Sequence, residues 1–352
     1  MAWREETGRC LQAFLDERVA AGELSAAVGM VGDAGGPLWS GVAGEARPGS
    51  PATLATRFDY GSLVKPFVAT LALALDASGD LPLTTRIGEA FGPGEAHPAL
   101  AGRTLEALLR HEAGVRHWVP LYHVCRAPAE VPSLLLGGEL LGERRGTYSD
   151  LDFIVWALAV ERLLAQPLAG LLAERVLAPL GVRGVEVAPG DRPDVAVCRC
   201  DTAQEVRLAL AQQLPAPNLG PPPPGVPNDG NARFLGGLPG HSGLFGPAGA
   251  LYRLGAEWLR PRALLTPEGV ARATGGRGRF ALGWWRRRLL EGGGPALPAA
   301  AFGHTGFPGG NLWVDPEAGR VLVLLAHRTS AAVPINRRRR RFHTLAYHRD
   351  PR

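Results

Sequence analysis

Apolar residues recur at helical spacing from Glu5 to Ala20, which predicts an amphipathic helix. Two short apolar runs follow, Ala26 to Val31 and Pro37 to Val42, and the Gly32-Asp-Ala-Gly-Gly36 segment between them reads as a hairpin turn. From Val64 to Leu75 the chain is apolar and rich in Ala and Leu, with Ser62 at its head and Gly79 past its end, so a helix is expected there. Pro66 fits such a helix only near its first turn. A short helix over Thr104 to Arg110 is followed by an irregular region from Gly114 to Gly146, then by helices over Leu151 to Leu164 and Leu168 to Leu177. Between Leu214 and Phe234 the chain is dense in Pro, Gly and Asn, with four consecutive prolines at Pro221 to Pro224, so a long loop without regular structure is expected. Leu251 to Leu259 and Pro267 to Ala273 read as helices. Phe280 to Arg287, Asn311 to Asp315 and Val321 to Ala326 read as strands, and Pro334 to Tyr347 as a closing helix.

Strands toward both ends with helices between them imply an α/β fold of the α+β type, in which the two termini build one sheet. Residues 1–80 and 245–352 are expected to form that lobe, with 81–244 inserted as a mostly helical lobe and the site at their interface. No internal repeat is visible.

Composition changes this picture little. With 46% hydrophobic and 20% charged residues over 352 positions, the chain can bury a sizeable core. The net charge of +5 and pI of about 9.4 raise nucleic acid as a partner, but the Arg337 to Arg341 run alone accounts for the excess. That run reads as a solvated helix face, and neither nucleic acid nor membrane is expected as a partner. The start, Met-Ala-Trp-Arg-Glu-Glu, lacks the apolar core of a signal peptide, and no run of 18 apolar residues is seen, so a cytoplasmic location is expected. Cys10, Cys125, Cys198 and Cys200 are too few and scattered for a disulfide framework or zinc site, and Cys198-Arg-Cys200 reads as ordinary packing on a strand.

Lys65 is the only lysine among the 38 Lys and Arg residues. Arginine keeps its proton in proteins, whereas a buried lysine is driven toward the neutral amine and then acts as a base. Ser62 lies three residues earlier, so at the start of a helix its hydroxyl and the amine share one face, one turn apart. That is the arrangement of a nucleophile beside its activating base, close to backbone N–H groups that favour developing negative charge. The alternative is that Ser62 only caps the helix and Lys65 is a solvated charge.

Two further stretches carry chemistry. Tyr148-Ser149-Asp150 leads into the Leu151 helix from a loop tip. His304-Thr305-Gly306, followed by Phe307, precedes the Asn311 strand, where the small Gly306 lets a substrate approach the strand edge. Taken together, Ser62-x-x-Lys65, Tyr148-x-Asp150 and His304-Thr305-Gly306 resemble the motifs of the serine β-lactamase and penicillin-binding-protein superfamily, in that family's order. The middle Tyr makes the chain similar to class C β-lactamases, DD-peptidases and related esterases. The resemblance extends through Leu108-Leu-Arg-His-Glu-Ala-Gly114, Asp229-Gly-Asn-Ala-Arg233, Gly240-His-Ser-Gly-Leu-Phe245 and Leu312-Trp-Val-Asp315, and so covers most of the chain.

The resemblance implies a β-lactamase/transpeptidase-like fold with a mainly antiparallel sheet, and an acyl-serine mechanism without metal or cofactor. Ser62 is the implied nucleophile, and Lys65 and Tyr148 share its activation and leaving-group protonation. The N–H groups of Ser62 and Phe307 form the implied oxyanion hole, with Asp150, His304, Thr305 and Gly306 against the substrate. Two departures matter. Class C enzymes have Asn in place of Asp150 and Lys in place of His304, so an amide donor is lost and a fixed cation becomes titratable. Both argue for small esters or amides over β-lactams, with short activated esters outpacing nitrocefin. A β-lactamase, a D-amino-acid peptidase or amidase, and a non-catalytic ligand sensor remain the rival readings, and the oligomeric state is open. No Gly-x-Ser-x-Gly, no His-Glu-x-x-His and no phosphate loop is present. His111 and His241 read as buried hydrogen-bonding residues, the latter on a loop near the site.

Overall fold

In the computed structural model, which describes residues 5–215, 219–287 and 292–347, one antiparallel sheet organises the chain. Its strands are β1 (Leu24–Asp33), β2 (Gly36–Arg47), β3 (Ser50–Pro51), and, from the far end of the chain, β7 (Phe280–Ala281), β8 (Trp284–Arg286), β9 (Phe302–Thr305), β10 (Asn311–Asp315) and β11 (Arg320–Arg328). They lie in the order β3-β2-β1-β11-β10-β9-β8-β7, so the two termini meet where Val28 pairs with Leu325. A second small sheet joins β4 (Phe58–Asp59), β6 (Leu244–Gly246) and β5 (Glu186–Val187), in that order.

The period of two in β11 decides what covers each face. Val321, Val323 and Leu325 point into the larger core with the helices Val64–Ser78 and Ala248–Leu259. Leu322, Leu324 and Ala326 point the other way, against Leu11, Phe14 and Leu15 of the N-terminal helix Glu5–Ala20 and Phe342 of the closing helix Ile335–Ala346. A strand buried on both faces reads as one continuous apolar run, and β11 does. The helix window Gly61–Ser78 is long and apolar enough to cross a membrane by length and composition, but it lies in the core with 72% of it buried.

Several expectations change. The hairpin strands are longer than the apolar runs that announced them, because β2 continues through Gly44, whose φ is +81°. Phe302–Thr305 is a strand, so His304 and Thr305 lie on the sheet and not merely ahead of it. The region expected to be irregular holds short helices at Leu121–Val124 and Val131–Leu136, and the proline-rich loop ends in a helix, Gly230–Leu235, capped by Asp229 accepting from Ala232 N at 2.8 Å. Residues 216–218 of that loop lie outside the described residues. Ala203–Ala211 is a further helix that the pattern did not announce. Cys198 and Cys200 are buried but on no strand.

Candidate active site

Ser62 sits in a 3-10 turn, Gly61–Leu63, that runs directly into the helix Val64–Ser78 and makes no side-chain cap bond. Pro66 occupies the helix's third position, where no N–H is required, and Gly79 closes the far end with φ +77°. Released from capping, the Ser62 hydroxyl takes a hydrogen bond from Lys65 Nζ at 3.0 Å and another from the Tyr148 hydroxyl at 2.9 Å. Lys65 is completely buried, and its ammonium also meets Asp150 Oδ1 at 2.7 Å and the His241 carbonyl at 3.2 Å. Burial pulls the Lys65 pKa below the usual lysine value, and the Asp150 carboxylate opposes it without cancelling it.

Backbone fit holds this turn in place. Gly61 has φ +50°, and a Cβ there would lie 2.8 Å from Pro308 Cδ and 3.2 Å from Phe307 N. Only glycine combines that dihedral with that approach. A Cβ on Gly306 would reach 2.3 Å from the Tyr60 carbonyl, so the nucleophile turn and the Gly306–Pro308 turn are packed backbone to backbone. Beneath them the buried Asp59 accepts from Gly61 N at 2.8 Å and Asn228 N at 2.7 Å. Its burial raises its pKa to about 6.

Tyr148 is positioned by a second set of contacts. Ser149 caps the helix Asp150–Leu164 by accepting from Asp152 N at 3.1 Å, and its own N–H donates to His111 Nδ1 at 3.1 Å. Burial, with Lys65 nearby, keeps His111 well below its ordinary pKa, so its ring is a neutral acceptor packed 4.8 Å from the Tyr148 ring. Trp285 stacks on the other ring contact of Tyr148 at 5.2 Å. Burial and the Asp150 charge push the Tyr148 pKa well above 10, and its protonated hydroxyl donates to Ser62.

A cavity of about 380 Å3 opens at these groups, lined by Ser62, Tyr148 and Asp150 and by Thr305, Gly306 and Phe307. His304 is not among its lining residues: it is 1% exposed, and its Nδ1–H donates to the Thr305 carbonyl at 2.9 Å. Burial, then the Lys65 charge, holds its pKa well below 6.5, so it supplies no charge in the physiological range. The cations at the cavity are Arg328 and Arg339. Arg339 belongs to the run that reads as a solvated face, and that reading fails for it: the residue is 3% exposed. Its guanidinium donates to the carbonyls of Gly306, Gly309 and Gly310 and, at 2.7 Å, to Asn336 Oδ1. The signal was present, since Ile335, Arg339, Phe342 and His343 fall at helical spacing on one face. Arg337 and Arg341 are exposed as expected. Arg328 lies 4.1 Å over the Phe307 ring.

Sequence reasoning also missed the carboxylates on the opposite set of elements. Glu205 and Asp229 line the cavity, Asp229 bonded to His241 Nε2 at 2.9 Å and Glu205 to the Tyr122 hydroxyl and Gly230 N. Nothing short of the fold brings residues from four separate segments together. Among the described residues no cluster of His, Cys, Asp and Glu could hold a metal ion.

The turn with Ser62 and Lys65, the loop with Tyr148 and the end of β9 at Thr305 thus meet at one cavity. Residues 11–346 match the family described as beta-lactamase, and the chain belongs to that family. No curated protein matches the sequence. Among solved structures it is similar to EstCE1, a hydrolase with promiscuous acyltransferase activity, at 19% identity over 97% of this chain and 99% of that one, with a TM-score of 0.76. A penicillin-binding-protein homologue from Caulobacter crescentus gives 20% identity, 99% coverage of both chains and a TM-score of 0.76. Simvastatin synthase from Aspergillus terreus gives 17%, 99% and 98% coverage, and 0.69. At these identities the likeness is one of fold.

Proposed function

We propose that this protein is a serine hydrolase that cleaves small esters or amides through an acyl-Ser62 intermediate. The observation that carries the reading is that one hydroxyl, Ser62 Oγ, lies 3.0 Å from a buried amine and 2.9 Å from a phenol at the wall of a cavity. In its neutral form Lys65 takes the Ser62 proton as Oγ adds to the carbonyl carbon. The oxyanion that forms is met by the N–H groups of Ser62 and Phe307, which belong to the two turns packed against each other. Collapse breaks the bond to the leaving alcohol or amine, which receives its proton through Tyr148 and Lys65. Water then cleaves the acyl-serine ester, releasing the acid and restoring Ser62. The lowered Lys65 pKa and the raised Tyr148 pKa support Lys65 as the base and Tyr148 as a donor in this reading. The hydrolase and acyltransferase among the structural relatives support acyl transfer as the reaction class.

A fluorophosphonate label followed by peptide mass mapping tests this, beside a panel of p-nitrophenyl esters, nitrocefin and D-alanyl anilides. Labelling at Ser62 with turnover supports it. Labelling at Ser149 or Ser242 overturns the assignment, and labelling without any turnover favours a sensor. A second reading has its own support: Arg328 and Arg339 at the cavity suit an anionic substrate, such as a β-lactam carboxylate. On this reading Arg328 and Arg339, and not His304, supply the charge that a substrate carboxylate needs, and nitrocefin turnover against that of a neutral ester tests it.

A further inference from the structure

The carbonyl of Gly306 and the N–H of Phe307 are the two ends of one peptide group, and the turn that carries it, Gly306-Phe-Pro-Gly-Gly310, is rich in glycine. Such a turn has little conformational preference of its own, so contacts from outside must fix its shape. Arg339 supplies them from the closing helix: its Nη2 donates to the Gly306 carbonyl and, at 2.9 Å, to that of Gly310, and its Nε donates to that of Gly309 at 3.2 Å. Resting on the acyl-serine reading above, we infer that Arg339 is a positioning residue for the reaction. Acting through the Gly306–Phe307 peptide, it holds the Phe307 N–H toward the substrate's carbonyl oxygen and strengthens that donor as negative charge develops.

Three observations carry this. First, Phe307 lines the cavity, its N–H donates to no group among the described residues, and its nitrogen lies 3.2 Å from where a Cβ on Gly61 would be. The donor therefore stands beside the nucleophile turn. Secondly, the guanidinium is spent on the turn. Its bonds to the three carbonyls, with one from Nη1 to Asn336 Oδ1 at 2.7 Å, occupy Nε–H, both Nη2–H and one Nη1–H. A single N–H is left, whereas the paired grip of a carboxylate takes two. Thirdly, a hydrogen bond onto a peptide carbonyl polarises the whole group and makes its N–H a better donor, and a charged donor in buried surroundings does this most. The Gly306 carbonyl also closes its own turn by accepting from Gly309 N at 3.1 Å, so it carries a neutral donor and a cationic one together. On the other side of the oxyanion site, the Gly61 carbonyl of the Gly61–Ser62 peptide accepts from Val64 N–H, a neutral donor. The cation thus acts on the Phe307 side of the site.

Steady-state hydrolysis of p-nitrophenyl acetate, with inhibition by phenylboronic acid, tests this in Arg339→Gln and Arg339→Lys. The ester has no charge for an arginine to recognise, and the boronic acid adds to a serine hydroxyl as a tetrahedral anion whose oxygen occupies the oxyanion site. Removing one oxyanion donor outright costs about 10²- to 10³-fold in kcat, so weakening one should cost about tenfold. The expected result in Arg339→Gln is that loss in kcat, a matching loss of boronate affinity and a KM within about twofold of the parent. Arg339→Lys, which keeps a charge, should recover part of both. A merely structural arginine would lower only the amount of folded enzyme, which titration of Ser62 with a fluorophosphonate counts. Parental kcat and boronate affinity, a loss confined to KM, or a loss in kcat that the boronate does not share each overturn the inference and leave the serine hydrolase standing. Should Arg339→Gln not fold, Arg339→Lys is judged by the same outcomes. If the parent cleaves no ester, the hydrolase reading fails, and boronate binding followed by calorimetry still decides the role of Arg339: weaker binding in the variant keeps it, and equal binding removes it.

Discussion

Two buried cations near the Ser62 hydroxyl and its neighbouring turn, Lys65 and Arg339, sit in regions built differently. Lys65 belongs to the first turn of the helix Val64–Ser78, completely buried, 2.7 Å from a carboxylate and 3.0 Å from a serine hydroxyl. Arg339 belongs to the closing helix, nearly as buried, and is held by backbone carbonyls with no carboxylate paired to it among the described residues. Burial lowers both pKa values. The consequence differs because an ammonium can surrender its proton and a delocalised guanidinium keeps it. In the mechanism proposed above the first region moves a proton, whereas the second holds a positive charge against the Gly306–Gly310 turn.

The sharpest way to break that contrast is Lys65→Arg, which keeps charge and removes the proton acceptor. Ester turnover is expected to fall by about 10²- to 10⁴-fold, nearly as far as in Lys65→Ala. Retention of most activity would make Lys65 an electrostatic support only. Tyr148→Phe comes next: losing the donor at 2.9 Å from Ser62 Oγ should lower kcat by about 10²-fold with little change in KM, read from steady-state hydrolysis of p-nitrophenyl acetate. Arg339→Met removes the standing charge and strips three carbonyls of a donor. We expect a stability loss of about 1–3 kcal/mol by denaturant titration, and nitrocefin turnover falling further than that of a neutral ester. An equal fall for both substrates would deny the charge a role in recognition. Arg341→Gln, on the exposed face of the same helix, should stay within about 0.5 kcal/mol of the parent.

The pH dependence separates the regions once more. Activity should rise with pH as Lys65 loses its proton, with a midpoint below the ordinary lysine value because its pKa is lowered by burial. Asp150 raises that pKa, so Asp150→Asn should move the midpoint to lower pH; a shift upward would contradict the pairing. His304 contributes nothing here, since its pKa is held well below 6.5, and lowering the pH to 6 should not aid an anionic substrate.

Much of the architecture was legible along the chain. The terminal strands, the Ser62 helix and the closing helix follow from periods of two and 3.6, which depend on neighbours in sequence. The short strand Phe302–Thr305 was not legible, because four residues with Gly303 and His304 among them carry no apolar run, and only pairing along β10 and with β8 makes them a strand. The helix Gly230–Leu235 was hidden by the prolines before it, although Asp229 marks its cap.

For the site, the sequence by itself determined that Ser62 and Lys65 share a helical turn, because three residues of separation on one helix is a local matter. It also singled out Tyr148 and the His304–Phe307 stretch as the segments to bring beside them. Tertiary structure alone decided that His304 turns into the core while Arg339, 35 residues onward, reaches the cavity, and that Asp59, Asp150, Glu205 and Asp229, from four segments, line it. The physical reason is that a side chain's charge state depends on its burial and on the charges across the cavity, and both are properties of the packed layers and not of the order of residues.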